Sequence, residues 1–439
     1  MKKILLSIIA LAIVYAAFAQ DSTARKLDEM VTAYAGMGRF NGSVLVAKQG
    51  VVLLQKGYGI KNADDNSLND ENTQYQIASV TKQFTAAIIL KLVELKKMAL
   101  TDKLNKYYNG FPYGDSITIE HLLTHTSGLR NFTEEDSSIS ETDEKRMVPY
   151  LKTLKPDFAP GTNWHYSNSG YVMLAYIIGK VSGISYWQAV RKYIFTPLQM
   201  TNSGFDFTHL AGREKAVGYD VLNDTLKQKA NITDSTVPFG AGSIYSTVED
   251  MYKWHRGLLE YKVVGKALMD KAYTPCAIHN YGYGWQIDSV YGKKIVSHSG
   301  AIAGFGSNFA RVTGDDVCIV LLSNKSGSTF DVMHLTNKLL AVLYNMPYTI
   351  PVKKTPVALS EDVLKRYTGT YEIEEMHLTV EMFINGGKLV AQPRRGDQPG
   401  PTSVMLATGN SHFYGENDEE TEITFDIEAI NVSSRTLDN

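Results

Sequence analysis

The sequence predicts a mixed α/β (α+β) fold, with an antiparallel sheet flanked by helices, a helical region beside it, and a small β-rich domain at the C-terminal end. Three observations carry this. Four strand-like runs, Gly284 to Val290, Lys293 to His298, Ser307 to Val312 and Asp316 to Leu322, follow one another on short connections, which is the pattern of neighbouring antiparallel strands. Two long apolar runs, one from Val80 and one from Val172 to Val181, repeat at helical spacing and are apolar enough to be buried helices. After the proline-bounded stretch Pro347 to Pro356 the chain changes character to short β-rich runs.

The 439 residues suit two or three domains, and a composition 44% hydrophobic and 21% charged is that of an ordinary soluble protein. The formal net charge is -2 and the pI about 6.6, so nothing points to nucleic acid or to an anionic membrane surface. The expected partner is a small-molecule or peptide substrate. Lys2-Lys3, the apolar run Ile4 to Ala16 and the small-x-small site Ala17-Phe18-Ala19 form a secretory signal over residues 1–19. Cleavage there leaves an exported protein, periplasmic or secreted, with no membrane span. The expected domains are then residues 20–346, a linker over 347–356, and a small β-rich domain over 357–439. Two cysteines do not make a disulfide framework: Cys318 sits in an apolar strand as a buried thiol, Cys276 follows Pro275 in a connection, and no bridge is expected.

In chain order, Asp28 to Tyr34 has the pattern of a short amphipathic helix. Ser43 to Gly57 is a hairpin turning at Lys48-Gln49-Gly50, and its strands should flank the core sheet. A loop rich in Asn and Asp, Asn62 to Asn72, leads to the apolar helix that Ser79-Val80-Thr81-Lys82 opens. Thr118 to His125 is a capped helix stopped by Thr126-Ser127-Gly128; His121 and His125 lack the further ligands of a metal helix and are structural. The acidic residues of 131–145 suggest an exposed, mobile loop rather than a binding face. Tyr166 and Asn168 lie on the approach to the helix beginning near Val172. Gly240-Ala241-Gly242 suits a tight passage or a turn, and Ser246-Thr247-Val248-Glu249 has the form of a capping box. Leu335, Leu339, Leu340 and Leu343 mark a final helix packed on the sheet.

The chemistry gathers at Ser79 and Lys82. Three residues apart at a helix start, a hydroxyl and an amine share one face at the edge of a buried region, close to backbone N–H groups that can bind developing negative charge. A serine hydroxyl is a weak nucleophile near neutral pH, and a neighbouring base must take its proton.

Ser79-Val80-Thr81-Lys82, Tyr166-Ser167-Asn168 and His298-Ser299-Gly300 occur in that order. With His121-Leu122-Leu123-Thr124-His125-Thr126-Ser127-Gly128-Leu129 and Gly240-Ala241-Gly242-Ser243, they resemble the serine β-lactamase and penicillin-binding-protein superfamily, in its class C β-lactamase and DD-peptidase branch. The resemblance implies a β-lactamase/transpeptidase-like fold and a serine hydrolase that needs no metal or cofactor. Ser79 would be the nucleophile. Either Lys82, kept neutral, or Tyr166, with a lowered pKa, would be its base; Tyr166 would also protonate the leaving group. Asn168 would hold Lys82 and the substrate amide. His298, Ser299 and Gly300 would orient substrate, and the backbone N–H groups of Ser79 and Ala301 would form the oxyanion hole. β-Lactamases carry Lys-Thr-Gly at the third motif; His298 is instead mostly neutral and supplies one donor, as in certain DD-peptidases, D-aminopeptidases and esterase-type members. The expected activity is hydrolysis of peptide, amide or ester bonds, including D-Ala-D-Ala-type cell-wall peptides. The alternatives are a carboxylesterase or weak class C-like β-lactamase, and a penicillin-binding sensor without turnover.

Overall fold

In a computed structural model, which describes residues 21–135, 143–373, 378–396, 398–416, 418–425 and 435–436, the chain divides into two compact units, Met1–Tyr348 and Thr349–Asn439. The expected signal at 1–19 and the middle of the acidic stretch, 136–142, lie outside the described residues.

The first unit begins with helix α1, residues 21–36, which buries Leu27, Met30, Val31 and Tyr34 at helical spacing. The hairpin follows as β1 (Gly42–Lys48) and β2 (Val51–Tyr58). Its two turn residues, Gln49 and Gly50, both have positive φ, at 53° and 77°, which matches the right-handed twist of the strands they join. Helix α2 (Thr81–Glu94) is entered through one 3-10 turn, Ala78–Val80. Next come α3 (Ile119–Leu123), α4 (Asn168–Ser182) and α5 (Val248–Leu259). The predicted strands are β3 (Gln286–Val290), β4 (Lys293–Ile302), β5 (Phe305–Val312) and β6 (Val317–Ser323), and α6 (Thr329–Leu343) closes the unit.

These six strands form one antiparallel sheet in the order β2-β1-β6-β5-β4-β3, so the N-terminal hairpin adds to the last strand of the meander. Alternation then sorts side chains between two cores. Val44, Val46, Val317, Ile319 and Leu321 face α1 and α6. Leu45, Ala47, Val296, Phe309, Val320 and Leu322 face the other way, onto α2, α4 and α5. A sheet buried on both faces explains why β1 and β6 are continuous apolar runs.

Three expectations are corrected here. The loop Asn62 to Asn72 contains a two-strand pairing, Ile60–Asn62 with Ser67–Leu68. The cap of α5 is Thr247, whose side chain accepts from the Asp250 N–H; Ser246 lies before it in a short strand. The acidic stretch is not a loop throughout: Phe132–Glu135 is a helical turn with Asn131 and Phe132 buried, and Glu144–Thr153 is a helix. Composition registers the charge of Glu134 and Glu135 but not the buried residues beside them.

The second unit is an antiparallel sheet of β7 (Gly369–Ile373), β8 (Leu378–Asn385), β9 (Lys388–Arg395), β10 (Ser403–Ala407), β11 (His412–Gly415) and β12 (Asp418–Thr424), with Arg435–Thr436 parallel to β7. Tyr367, Tyr371, Met382, Leu389, Phe413 and Phe425 form its own core. Cys276 and Cys318 are both free thiols. Among the described residues no helix is long and apolar enough to cross a membrane.

Candidate active site

The turn that carries Ser79 is held in a strained shape. Ala78 has φ +47°, a left-handed conformation that costs a residue with a Cβ about 1–2 kcal/mol. Anchors on both sides offset this. The Ile77 N–H donates to Ile244 O at 2.9 Å, and the Ile77 carbonyl accepts from Ser307 Oγ at 2.9 Å, tying the turn to β5. Ser79 is left half-buried at the helix entrance, while Lys82 one turn later is fully buried.

Lys82 Nζ touches three oxygens: Asn168 Oδ1 at 2.8 Å, Ala241 O at 2.8 Å and Ser79 Oγ at 3.1 Å. Burial pushes its pKa well below the ordinary lysine value, favouring the neutral amine. A neutral amine has two N–H donors and one lone pair. The Asn168 and Ala241 oxygens can only accept, so they take the two N–H groups, and the lone pair is left for the Ser79 hydroxyl. In this arrangement the lysine is poised to take the serine proton.

Tyr166 completes the group. Its hydroxyl hydrogen-bonds to Ser79, and Lys82 Nζ lies 4.8 Å from its ring centre. Burial pushes the phenol above its ordinary pKa, and the Ser79 hydrogen bond offsets only part of the rise. Tyr166 is therefore a neutral phenol near neutral pH, able to give a proton rather than take one.

Asn168 is the first residue of α4, not a residue on its approach. Its N–H donates to Asn131 Oδ1 at 3.1 Å and its Nδ2 to Thr133 Oγ1 at 3.2 Å, which leaves Oδ1 for Lys82. Asn131 and Thr133 are the residues sequence reading missed. They lie in the stretch that looked like exposed loop, and the only local hint is an apolar Phe132 inside an acidic run.

The third motif approaches from β4. A Cβ at Gly300 would collide with the Ile77 carbonyl oxygen and with Ser307 Oγ, so only glycine lets the strand lie against the turn that carries Ser79. Ala301 follows immediately, exposed and paired with Gly306 of β5. Gly284 plays a similar part behind the site: at φ +78° it packs against the Lys82 carbonyl.

His298 departs from the expectation that it offers a donor to substrate. It is 2% exposed, and both ring nitrogens are engaged inside the protein. Nδ1 donates to the Ser299 carbonyl at 2.6 Å, so the neutral ring accepts at Nε2 from the Tyr281 hydroxyl at 2.8 Å. Burial, and then the charge Lys82 would carry, pull its pKa down to about 3. Ser299 is half-buried and meets His298 through its carbonyl.

The two histidines of the predicted capped helix, His121 and His125, separate. His121 caps α3, its Nδ1 accepting from the Thr118 N–H at 3.3 Å, while His125 is buried beside Tyr166 with ring centres 4.4 Å apart. Among the described residues no three His, Cys, Asp or Glu side chains are grouped to hold a metal ion.

Comparison with known proteins agrees with this geometry. Residues 27–343 match the family described as Beta-lactamase. The chain is 30% identical over 363 residues to Penicillin-binding protein 4* of Bacillus subtilis (strain 168), covering 77% of this chain and 80% of the relative. The crystal structure of a penicillin binding protein from Bacillus halodurans superposes with a TM-score of 0.63 at 27% identity, covering 71% of this chain and 98% of that one. D-amino acid amidase from Ochrobactrum anthropi SV3 shares the fold at a TM-score of 0.61 and 22% identity, covering 72% and 99%. A strained serine turn, a buried lysine of lowered pKa and a glycine-mediated strand contact thus sit inside the matched region, and the chain belongs to the Beta-lactamase family as a serine hydrolase.

Proposed function

We propose that the chain is an exported serine hydrolase, periplasmic or secreted, that cleaves peptide, amide or ester bonds through an acyl-enzyme at Ser79. Lys82 is the base: as Ser79 Oγ attacks the carbonyl, its proton passes to the Nζ lone pair. Tyr166 carries a proton to the leaving group, Asn168 holds Lys82 in place, and the Ser79 and Ala301 N–H groups receive the oxyanion. Water then releases the acyl group. The observation that carries this reading is the Lys82 environment, in which two acceptors consume the N–H groups and the third contact is Ser79 Oγ.

The substrate class we assign is the D-amino-acid-type peptide of the cell wall, in the manner of a DD-carboxypeptidase or D-aminopeptidase. The names of a penicillin-binding relative and of a D-amino acid amidase with the same fold support it. A second reading, a carboxylesterase, is favoured by His298: a neutral imidazole with both nitrogens engaged gives a substrate carboxylate no fixed charge. The second reading places uncharged esters ahead of every carboxylate-bearing substrate, D-Ala-D-Ala peptides and β-lactams alike. The test is a panel of aryl esters, D-amino-acid amides, peptides ending in D-Ala-D-Ala and a chromogenic cephalosporin. Turnover of the D-amino-acid amides or D-Ala-D-Ala peptides supports the first reading, and turnover of esters alone the second. Acylation by a penicillin with no turnover of any member overturns both in favour of a sensor.

A further inference from the structure

Tyr166 must place its hydroxyl between Ser79 and the departing group, yet it sits on a short extended link between the loop that ends near Gly161 and the start of α4. The residues on either side of it are both bound by one partner. The His165 N–H donates to the His125 carbonyl at 3.1 Å, and the Ser167 N–H donates to His125 Nδ1 at 3.1 Å. The His125 ring lies against Tyr166 at 4.4 Å between centres, with Tyr281 at 4.7 Å and Tyr171 at 5.2 Å.

We infer that His125 is the positioning residue for Tyr166: its carbonyl and its Nδ1 lone pair grip the backbone before and after the tyrosine, while its ring sets the tilt of the phenol. The inference rests on the reading of Tyr166 as the carrier of a proton to the leaving group. Two details set His125 apart from ordinary packing. Nδ1 can accept only if it is unprotonated, so the neutral ring carries its hydrogen on Nε2, and that atom is buried with no hydrogen-bond partner among the described residues. A ring kept for packing alone would not leave a polar atom orphaned; the nitrogen is retained for what Nδ1 does. His125 also stands at φ +61°, a conformation histidine and asparagine tolerate better than most side chains, and this aims both its carbonyl and its ring at the 165–167 link.

The experiment compares kcat/KM for an alkyl ester, whose leaving group must be protonated, with that for a p-nitrophenyl ester, whose leaving group need not be. Wild type, Tyr166→Phe, His125→Phe and His125→Asn are measured. Tyr166→Phe should lose about tenfold or more on the alkyl ester beyond its loss on the aryl ester. His125→Phe keeps a ring but no acceptor, and should show the same selective loss, in kcat rather than KM. His125→Asn can present Oδ1 to the Ser167 N–H and accept the left-handed backbone, and should restore the alkyl ester to within about threefold of wild type. Equal losses on both esters in His125→Phe, or no rescue by asparagine, overturn the inference while the Tyr166 role stands. No selective loss in Tyr166→Phe removes that role and the inference with it. Wild-type protein labelled with ¹⁵N-histidine supplies a measurement independent of how the variants fold. The His125 signal should be that of a neutral ring protonated at Nε2, and a ring protonated at Nδ1 at neutral pH overturns the inference.

Discussion

In the proposed mechanism Lys82 and Tyr166 differ in which proton each handles, and their substitutions should differ accordingly. Lys82→Ala removes the base and should slow acylation by an aryl ester by about 10² to 10⁴-fold, measured by stopped flow. Tyr166→Phe should spare the aryl ester by comparison. A near-native rate in Lys82→Ala would remove lysine from the mechanism. His298 invites the opposite kind of test. A lysine there would put an ammonium into a site 2% exposed, beside Lys82, and would leave the Tyr281 hydroxyl without its acceptor. His298→Lys should lose about 3 kcal/mol in urea unfolding, the scale of an uncompensated buried charge, with no gain of cephalosporin over aryl ester in kcat/KM. A stable variant with that ratio raised tenfold would mean that position 298 faces substrate after all. At this scale the sequence was informative where chemistry is local. Ser79 and Lys82 are one helical turn apart, and their meeting follows from helix geometry alone. The engagement of His298 was hidden, because its partner Tyr281 lies 17 residues away in a different segment and nothing in the strand pattern announces it.

Between elements, the site depends on how closely β4 can approach the turn before α2. Gly300→Ala would drive a methyl into the Ile77 carbonyl and Ser307 Oγ, separating the strand from the nucleophile turn. A displacement of that kind should cost about 10²-fold in acylation, while overpacking costs about 1–3 kcal/mol of stability. Activity within twofold of wild type would show that the contact does not set the site. The helices and strands around this contact were legible because each has a clean period: Val80, Phe84, Ile88 and Leu92 for α2, and uninterrupted apolar runs for β1 and β6. The pairing of β1 with β6 was less so, since Val44 and Leu321 meet across most of the chain and register is a property of the folded sheet. Asn131 and Thr133 were lost for a related reason. Their value lies in reaching Asn168 across a turn, and the acidic residues beside them dominate any local average.

Across the whole molecule, three buried histidines make stability depend on acid. Burial is the main cause that holds His125 neutral, and it likewise holds His298 neutral with a pKa near 3. His255 is fully buried, accepting at Nδ1 from Arg311 Nε at 2.9 Å and donating from Nε2 to Asp316 at 2.8 Å. Burial and the Arg311 cation likewise lower its pKa to about 3. The unfolded chain binds protons at these histidines below their ordinary pKa of about 6.5 and the folded protein does not, so their contribution to stability is full above that pH and is lost as pH drops below it. Each of the three therefore weakens the folded state progressively as pH falls below the ordinary histidine value. Thermal unfolding should therefore show a Tm that drops steeply below pH 6.5, while the neutral Lys82 keeps it rising gently from pH 7 toward the ordinary lysine range, and a Tm unchanged between pH 7 and 5 would contradict the neutral assignments.

The central claim is that Ser79 carries the acyl group. Intact-mass spectrometry after rapid acid quench of the full chain with an activated aryl ester, followed by peptide mapping, tests it most directly. The mechanism predicts a single acyl adduct on the peptide containing Ser79, its formation strongly slowed in Lys82→Ala and abolished in Ser79→Ala. An adduct on another residue, or hydrolysis of the ester by Ser79→Ala at the wild-type rate, would contradict it.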